Sequence, residues 1–173
     1  MKRTAMVMLA VLASCDGQES QTEDAKLGPL TFEVPADWQR TNHERTGTVS
    51  AEWRPDTNAR KESVTVVRSA DRAPAEGFSA ERLANLLANA QGTLRGARVS
   101  KVTPLSTRRG LTGARIDVSF QPGDGPTRYR RVHAVLVDDT RSELVHVLYT
   151  AASPDDHLTA FYTVLESLHR EEG

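Results

Sequence analysis

Ala114-Arg115-Ile116-Asp117-Val118-Ser119-Phe120 is the stretch that decides the fold. Its apolar and polar side chains alternate without a break, the two-residue period of a strand with one buried and one wet face. Working outward, Pro122-Gly123-Asp124-Gly125-Pro126 turns the chain, and Thr127 to Asp138 returns. Asp139 to Ser142 makes a second turn, and Glu143 to Ala151 is a further strand. Val132 to Val137 and Leu144 to Leu148 are mostly apolar on both faces, which places these two strands centrally. Before the deciding strand, Ala97 to Leu105 is another, with Pro104 near its end.

Further upstream the period changes. Ser79 is suited to capping a helix, with Glu81 in its first turn. Leu83, Leu86, Leu87, Ala90 and Leu94 then make one helical stripe, and Gly92 or Gly96 stops it. Three strands precede this helix: Leu30 to Val34, Thr48 to Trp53 and Ser63 to Arg68, the last two divided by Pro55-Asp56-Thr57-Asn58. At the far end Ser153 is placed as an N-cap, Pro154 as the first helical residue, and Asp155 and Asp156 favour the positive helix end. Leu158, Phe161, Tyr162, Leu165 and Leu168 form that helix's stripe. Short turns between neighbouring strands imply antiparallel pairing. The expected class is α+β: a mainly antiparallel β-sheet flanked by two amphipathic helices, in one domain over residues 28–170.

The N-terminus carries a different message. Met1-Lys2-Arg3 is basic, Ala5 to Val11 is apolar, and Leu12-Ala13-Ser14-Cys15 ends the run. The pattern is that of an export leader, and it is shorter than the about 20 apolar residues a bilayer span needs. It resembles the lipobox of bacterial lipoproteins. That resemblance implies a signal peptide over residues 1–14, removal of it, and lipidation of Cys15, the one cysteine of the chain. Each buried acyl methylene stabilises attachment by about 0.8 kcal/mol, and durable anchoring takes more than one chain. Residues 15–27 are then a lipidated tether, since Asp16 to Lys26 is polar, acidic and without aromatic residues. Eleven such residues span roughly 17–20 Å if flexible. The resemblance also implies a slight lean toward the inner membrane over the outer, since an aspartate behind the cysteine, here Asp16, marks inner-membrane retention in some enterobacterial lipoproteins. Cys15 incidental to an ordinary signal peptide is the plainer alternative, as is a buried N-terminal strand.

Cleavage before Cys15 shortens the 173-residue chain to 159. Loss of Lys2 and Arg3 leaves 20 basic against 23 acidic side chains, a net charge of −3. A nucleic-acid partner is therefore not expected. A lone cysteine allows no disulfide within the domain.

The two ends of the domain carry a second resemblance. Thr31-Phe32-Glu33-Val34-Pro35-Ala36-Asp37-Trp38 is similar to the opening of PsbP-like and DcrB-like domains, a strand followed by Pro-x-x-Trp. Leu144-Val145-His146-Val147-Leu148-Tyr149-Thr150-Ala151, leading to a helix with Phe161 and Leu165-Glu166-Ser167-Leu168, is similar to their close. The resemblance implies a sheet between helices, an α/β/α sandwich. It implies no catalytic residues, because that family is mainly one of accessory and assembly proteins and envelope lipoproteins.

Chemistry-bearing residues are few. His133 and His146 lie on neighbouring strands and share a face in some registers, but no third ligand stands at a metal-site spacing, so no metal or other cofactor is expected. Neither a Gly-x-Ser-x-Gly elbow nor a His-Glu-x-x-His helix is present, and an enzyme is not expected. Arg128, Tyr129, Arg130 and Arg131 cluster, with Arg108 and Arg109 in an earlier turn. They are either a docking patch for an acidic protein, glycan or headgroup, or a solvated strand end whose arginines pair with nearby carboxylates. Trp38 and Trp53 are expected in or near the core, with an aromatic ligand platform as the other reading. The function expected is that of a lipid-anchored, periplasm-facing envelope protein, non-catalytic, which binds or supports another protein. The alternative is a small-ligand carrier or sensor with a pocket between helix and sheet.

Overall fold

A computed structural model describes residues 21–45, 47–56, 61–69, 79–138, 143–152 and 158–171. Among these residues eleven strands and two helices run in the order β1 (Thr22–Leu27), β2 (Leu30–Pro35), β3 (Trp38–Arg45), β4 (Thr48–Pro55), β5 (Ser63–Ser69), α1 (Ala80–Gly92), β6 (Arg98–Val99), β7 (Thr103–Ser106), β8 (Thr112–Phe120), β9 (Tyr129–Asp138), β10 (Glu143–Ala151), α2 (Thr159–Ser167) and β11 (His169–Arg170). A large sheet has the order β3-β4-β5-β10-β9-β8-β6, with β7 also on β8, and a small sheet has the order β1-β2-β11. Every pairing is antiparallel. The fold is α+β and mainly antiparallel, and β9 and β10 are central as their two apolar faces require.

One face of the large sheet carries Trp53, Val64, Val66, Leu136, Val147 and Tyr149 into the main core, closed by Phe32 and Val34 of the small sheet and Phe161, Val164 and Leu165 of α2. The opposite face of β8 and β9 packs against α1 through Ala114, Ile116, Val118 and Val135. Trp53 is fully buried with its ring edge-on to Phe32 at 5.2 Å, and Trp38 is half-buried against the same core.

Residues 22–27, expected in the tether, are strand β1. Only Ala25 and Leu27 of TEDAKL are buried, so this edge strand is as polar as a linker. Gly28-Pro29 is the two-residue turn of the β1–β2 hairpin, not the start of the domain, with Gly28 at φ +60° as such a turn requires. A Cβ there would lie 2.5 Å from Arg68 Nη1. β3 carries no apolar alternation and is exposed beyond Trp38, as an edge strand is. The expected strand from Ala97 to Leu105 is two short ones. Between them Ser100 bonds Asp117 twice, its N–H donating to the Asp117 carbonyl at 2.8 Å and its Oγ accepting from the Asp117 N–H at 2.9 Å.

Both helices differ from expectation in detail. Ser79 caps α1 by accepting from Arg82 N–H at 3.1 Å, and the helix ends at Gly92, both as expected. The buried stripe is centred on Ala80 and Ala84, so Leu83, Leu87 and Leu94 flank it while Leu86 is 57% exposed and Ala90 also faces water. α2 runs from Thr159, and Leu158 before it has φ +56°, a left-handed conformation that does not continue a right-handed helix. Ser153, Pro154, Asp155 and Asp156 lie outside the described residues, as do the leader, Cys15, residues 16–20 and the turn at 139–142. Of α2's expected stripe, Leu158, Phe161, Leu165 and Leu168 are buried, and Tyr162 is at the rim.

Buried Glu143 joins the two sheets. It accepts from Arg68 of β5 and from Arg170 of β11, whose Nη2 lies 2.5 Å from Oε2. Ser167 ties α2 to the small sheet, since its Oγ accepts from Glu33 N–H at 2.8 Å where β11 no longer covers the edge of β2.

Candidate functional site

The α1-side face of the large sheet holds the chemistry. His133 pairs in register with Leu148, which sets His146 two residues along the neighbouring strand and on the same face. The rings stack with centroids 5.2 Å apart and planes at 7°, and His133 Nδ1 lies 3.0 Å from His146 Nε2. Burial pushes His133 down to about 3, helped by the charges of His146 and Arg131, and burial pushes His146 down to about 4. Both imidazoles are neutral at physiological pH. They spend one nitrogen each on the other, and His133 Nε2 is buried without a hydrogen-bond partner. The guanidinium of Arg131 beside them opposes a cation. Among the described residues no group of three His, Cys, Asp or Glu side chains assembles to hold a metal.

The four residues Arg128, Tyr129, Arg130 and Arg131 do not share one patch, because alternation along β9 divides them. Arg130 points toward the main core side and donates to Asp117, with Nη2 to Oδ2 at 2.5 Å, and this contact raises its pKa. Arg128 donates to Gly96 O at 3.2 Å and lies 3.4 Å from Ser119 Oγ. Tyr129 and Arg131 face α1: Tyr129 packs on Phe120 at 5.8 Å, and Arg131 lies 4.8 Å over the Phe120 ring while donating to Gln91 Oε1 at 2.9 Å. Arg108 pairs with Glu166 of α2 at 3.1 Å.

Two concave sites flank these residues. A groove of about 600 Å³ lies where the small sheet meets α2 and the β7–β8 turn, lined among others by Thr22, Asp24, Arg108, Arg109, Glu166 and His169. A cleft of about 510 Å³ lies on the α1-side face over β4, β5, β10 and β9. Register builds that cleft: Arg131 faces Thr150, Thr150 faces Ser63, and Arg54, next to Trp53 whose partner is Val64, is level with Ser63. One row across four strands therefore reads Arg54, Ser63, Thr150, Arg131. Only Arg131 of this row stands out in the sequence. The signal for Ser63 was its alternation, with Thr65, against Val64 and Val66 in β5, and nothing in the sequence marked Arg54 or Thr150.

No family model matches the chain, and no curated protein matches it in sequence. Solved structures do. The fold resembles that of yeast Mog1p. This Saccharomyces cerevisiae Ran-binding protein superposes with a TM-score of 0.52 at 11% identity, over 87% of this chain and 96% of its own. Mycobacterium tuberculosis LpqN, described as involved in cell envelope biogenesis, superposes at 0.47 and 10% identity, over 86% and 90%. A Pseudomonas aeruginosa protein of unknown function, PA94, a putative regulator by its description, does so at 0.44 and 18%, over 78% and 85%. At such identities the likeness to Mog1p is one of fold. Among the described residues no helix is long and apolar enough to cross a membrane.

Proposed function

We propose that this chain is a lipid-anchored envelope protein of the PsbP-like and DcrB-like kind, held at a bacterial membrane by Cys15, which works by binding a partner rather than by catalysis. One observation carries the reading. Thr22, the first residue of β1, lines the large groove, and only residues 16–21 separate it from Cys15. Six residues span at most about 20 Å. The groove therefore opens within a short reach of the anchor, where confinement to a surface raises the effective concentration of a membrane partner.

The test places a photocrosslinking side chain at Arg109, in the groove, or at Leu86, on the other layer, in the native chain and in Cys15→Ala. Crosslinks to a membrane component from position 109 that weaken in Cys15→Ala are expected. Equal crosslinking from both positions, or no dependence on Cys15, would overturn the proposal.

A second reading, a small-ligand carrier or sensor, is favoured by the cleft on the α1-side face. It predicts a bound small molecule in native mass spectra of the purified protein.

A further inference from the structure

Arg131 is a half-buried charge with no counter-ion among the described residues. Among the described residues no carboxylate pairs with it, its Nε is buried without a hydrogen-bond partner, and its recorded contacts are Gln91 and the face of Phe120. Burial lowers its pKa, the direction expected for a cation that has lost water and gained no anion. Arg130, one residue earlier and on the other face, has Asp117. Arg131 lines the cleft together with Arg54, Lys61, Ser63, Thr65 and Thr150. Two acids line it as well, and both are engaged: Glu52 with Arg54 at 2.9 Å, and buried Glu62 as acceptor from Tyr149 Oη at 2.9 Å. Lys61 sits at the rim with φ +44°, a strained backbone for lysine, and no carboxylate pairs with it among the described residues. Arg131 and Lys61 thus line the cleft with three hydroxyls, beside one satisfied ion pair, Glu52–Arg54, and a Glu62 carboxylate held by the Tyr149 phenol. Guanidinium and ammonium groups with hydroxyl donors between them are the donor set that oxyanions take.

We propose that this cleft binds a small oxyanion, the carboxylate or phosphate group of a soluble metabolite or of a lipid headgroup, between Arg131 and Lys61 over Ser63, Thr65 and Thr150. The inference rests on the carrier reading above and is independent of the anchor.

Calorimetric titration of the full chain in non-ionic detergent, with inorganic phosphate and with citrate at matched chloride ionic strength, tests it. Saturable binding of at least one probe is expected, weakened about tenfold or more by Arg131→Gln. Because Arg131→Gln also loses the Phe120 contact, Lys61→Asn is the second variant. Asparagine tolerates the left-handed backbone, so this chain should fold at least as stably and yet bind several-fold more weakly. Exposed Arg98→Gln on β6 should leave binding unchanged. Competition by phosphatidylglycerol in the micelle points to a headgroup, and its absence to a soluble ligand. No heat beyond the chloride control for either probe, or equal binding by native chain and both cleft variants, would overturn the oxyanion site while leaving lipid anchoring and groove crosslinking to stand or fall separately.

Discussion

His133 and His146 stack across β9 and β10 and bond Nδ1 to Nε2 at 3.0 Å, each neutral because the other and the sheet exclude water from it. Both titrate below the ordinary 6.5, at about 3 and about 4. Between those values and 6.5 the unfolded chain binds more protons than the folded one. The stability this confers is complete above pH 6.5 and is lost as pH falls toward 4. At pH 5 buried His133 costs about 2 kcal/mol relative to pH 7, and half-buried His146 somewhat less. Urea unfolding at pH 7 and pH 5 should show this extra loss in the native chain and not in His133→Phe/His146→Leu. Identical pH slopes in the two chains would contradict a buried neutral pair.

Glu143 holds Arg68 and Arg170 together, and so holds the small sheet to the large one. Glu143→Gln leaves two half-buried guanidinium groups without their carboxylate. Removing one partner from such a buried network costs about 3–5 kcal/mol. A drop of that size in denaturant stability is expected, together with faster hydrogen exchange at Leu30 and Thr31, where β11 pairs with β2. A loss below about 1 kcal/mol, the size of an exposed pair, would contradict the cross-layer role.

Gly113 sits in β8 where a Cβ would lie 1.9 Å from the Val135 carbonyl oxygen of β9. Backbone cannot swing aside as a side-chain tip can. Gly113→Ala should therefore destabilise the chain by on the order of 3 kcal/mol, whereas Gly123→Ala, with open space around it, should change stability by less than about 0.5 kcal/mol. Equal effects in thermal unfolding would contradict the close approach of β8 and β9 at this point.

The helical phase of α1 is testable at two positions. Leu86→Lys, on an exposed residue, should be neutral within about 0.5 kcal/mol. Ala84→Leu should overpack the contact with β8 and cost about 1–3 kcal/mol. The reverse order of effects would place the stripe on Leu83, Leu86 and Ala90.

What the chain reveals before folding depends on whether an element has a wet and a dry side. β8, β9 and β10 declare themselves because burial writes an alternation or an apolar run into them. β1 and β3 do not, since each is an edge strand whose mate supplies the buried side, and TEDAKL is indistinguishable by composition from a tether. Leu86 misleads about α1 because two alanines, small enough to let the helix lie close on β8, mark the true contact better than a leucine does. The histidine pair was legible as a possibility and needed the register His133–Leu148 to become a contact. The arginine cluster was legible as a sequence cluster only. Strand alternation sends Arg130 to Asp117 and Arg131 to Gln91, on opposite faces. The cleft was not legible, because its row of Arg54, Ser63, Thr150 and Arg131 exists only across four strands brought together by pairing.

The most direct measurement is the intact mass and membrane partition of the protein isolated from its own cells, beside Cys15→Ala. Lipid anchoring predicts a membrane-bound chain that begins at Cys15 and carries added acyl mass, with Cys15→Ala released to the soluble fraction. A soluble native chain, or one beginning at another residue with no added mass, would contradict it.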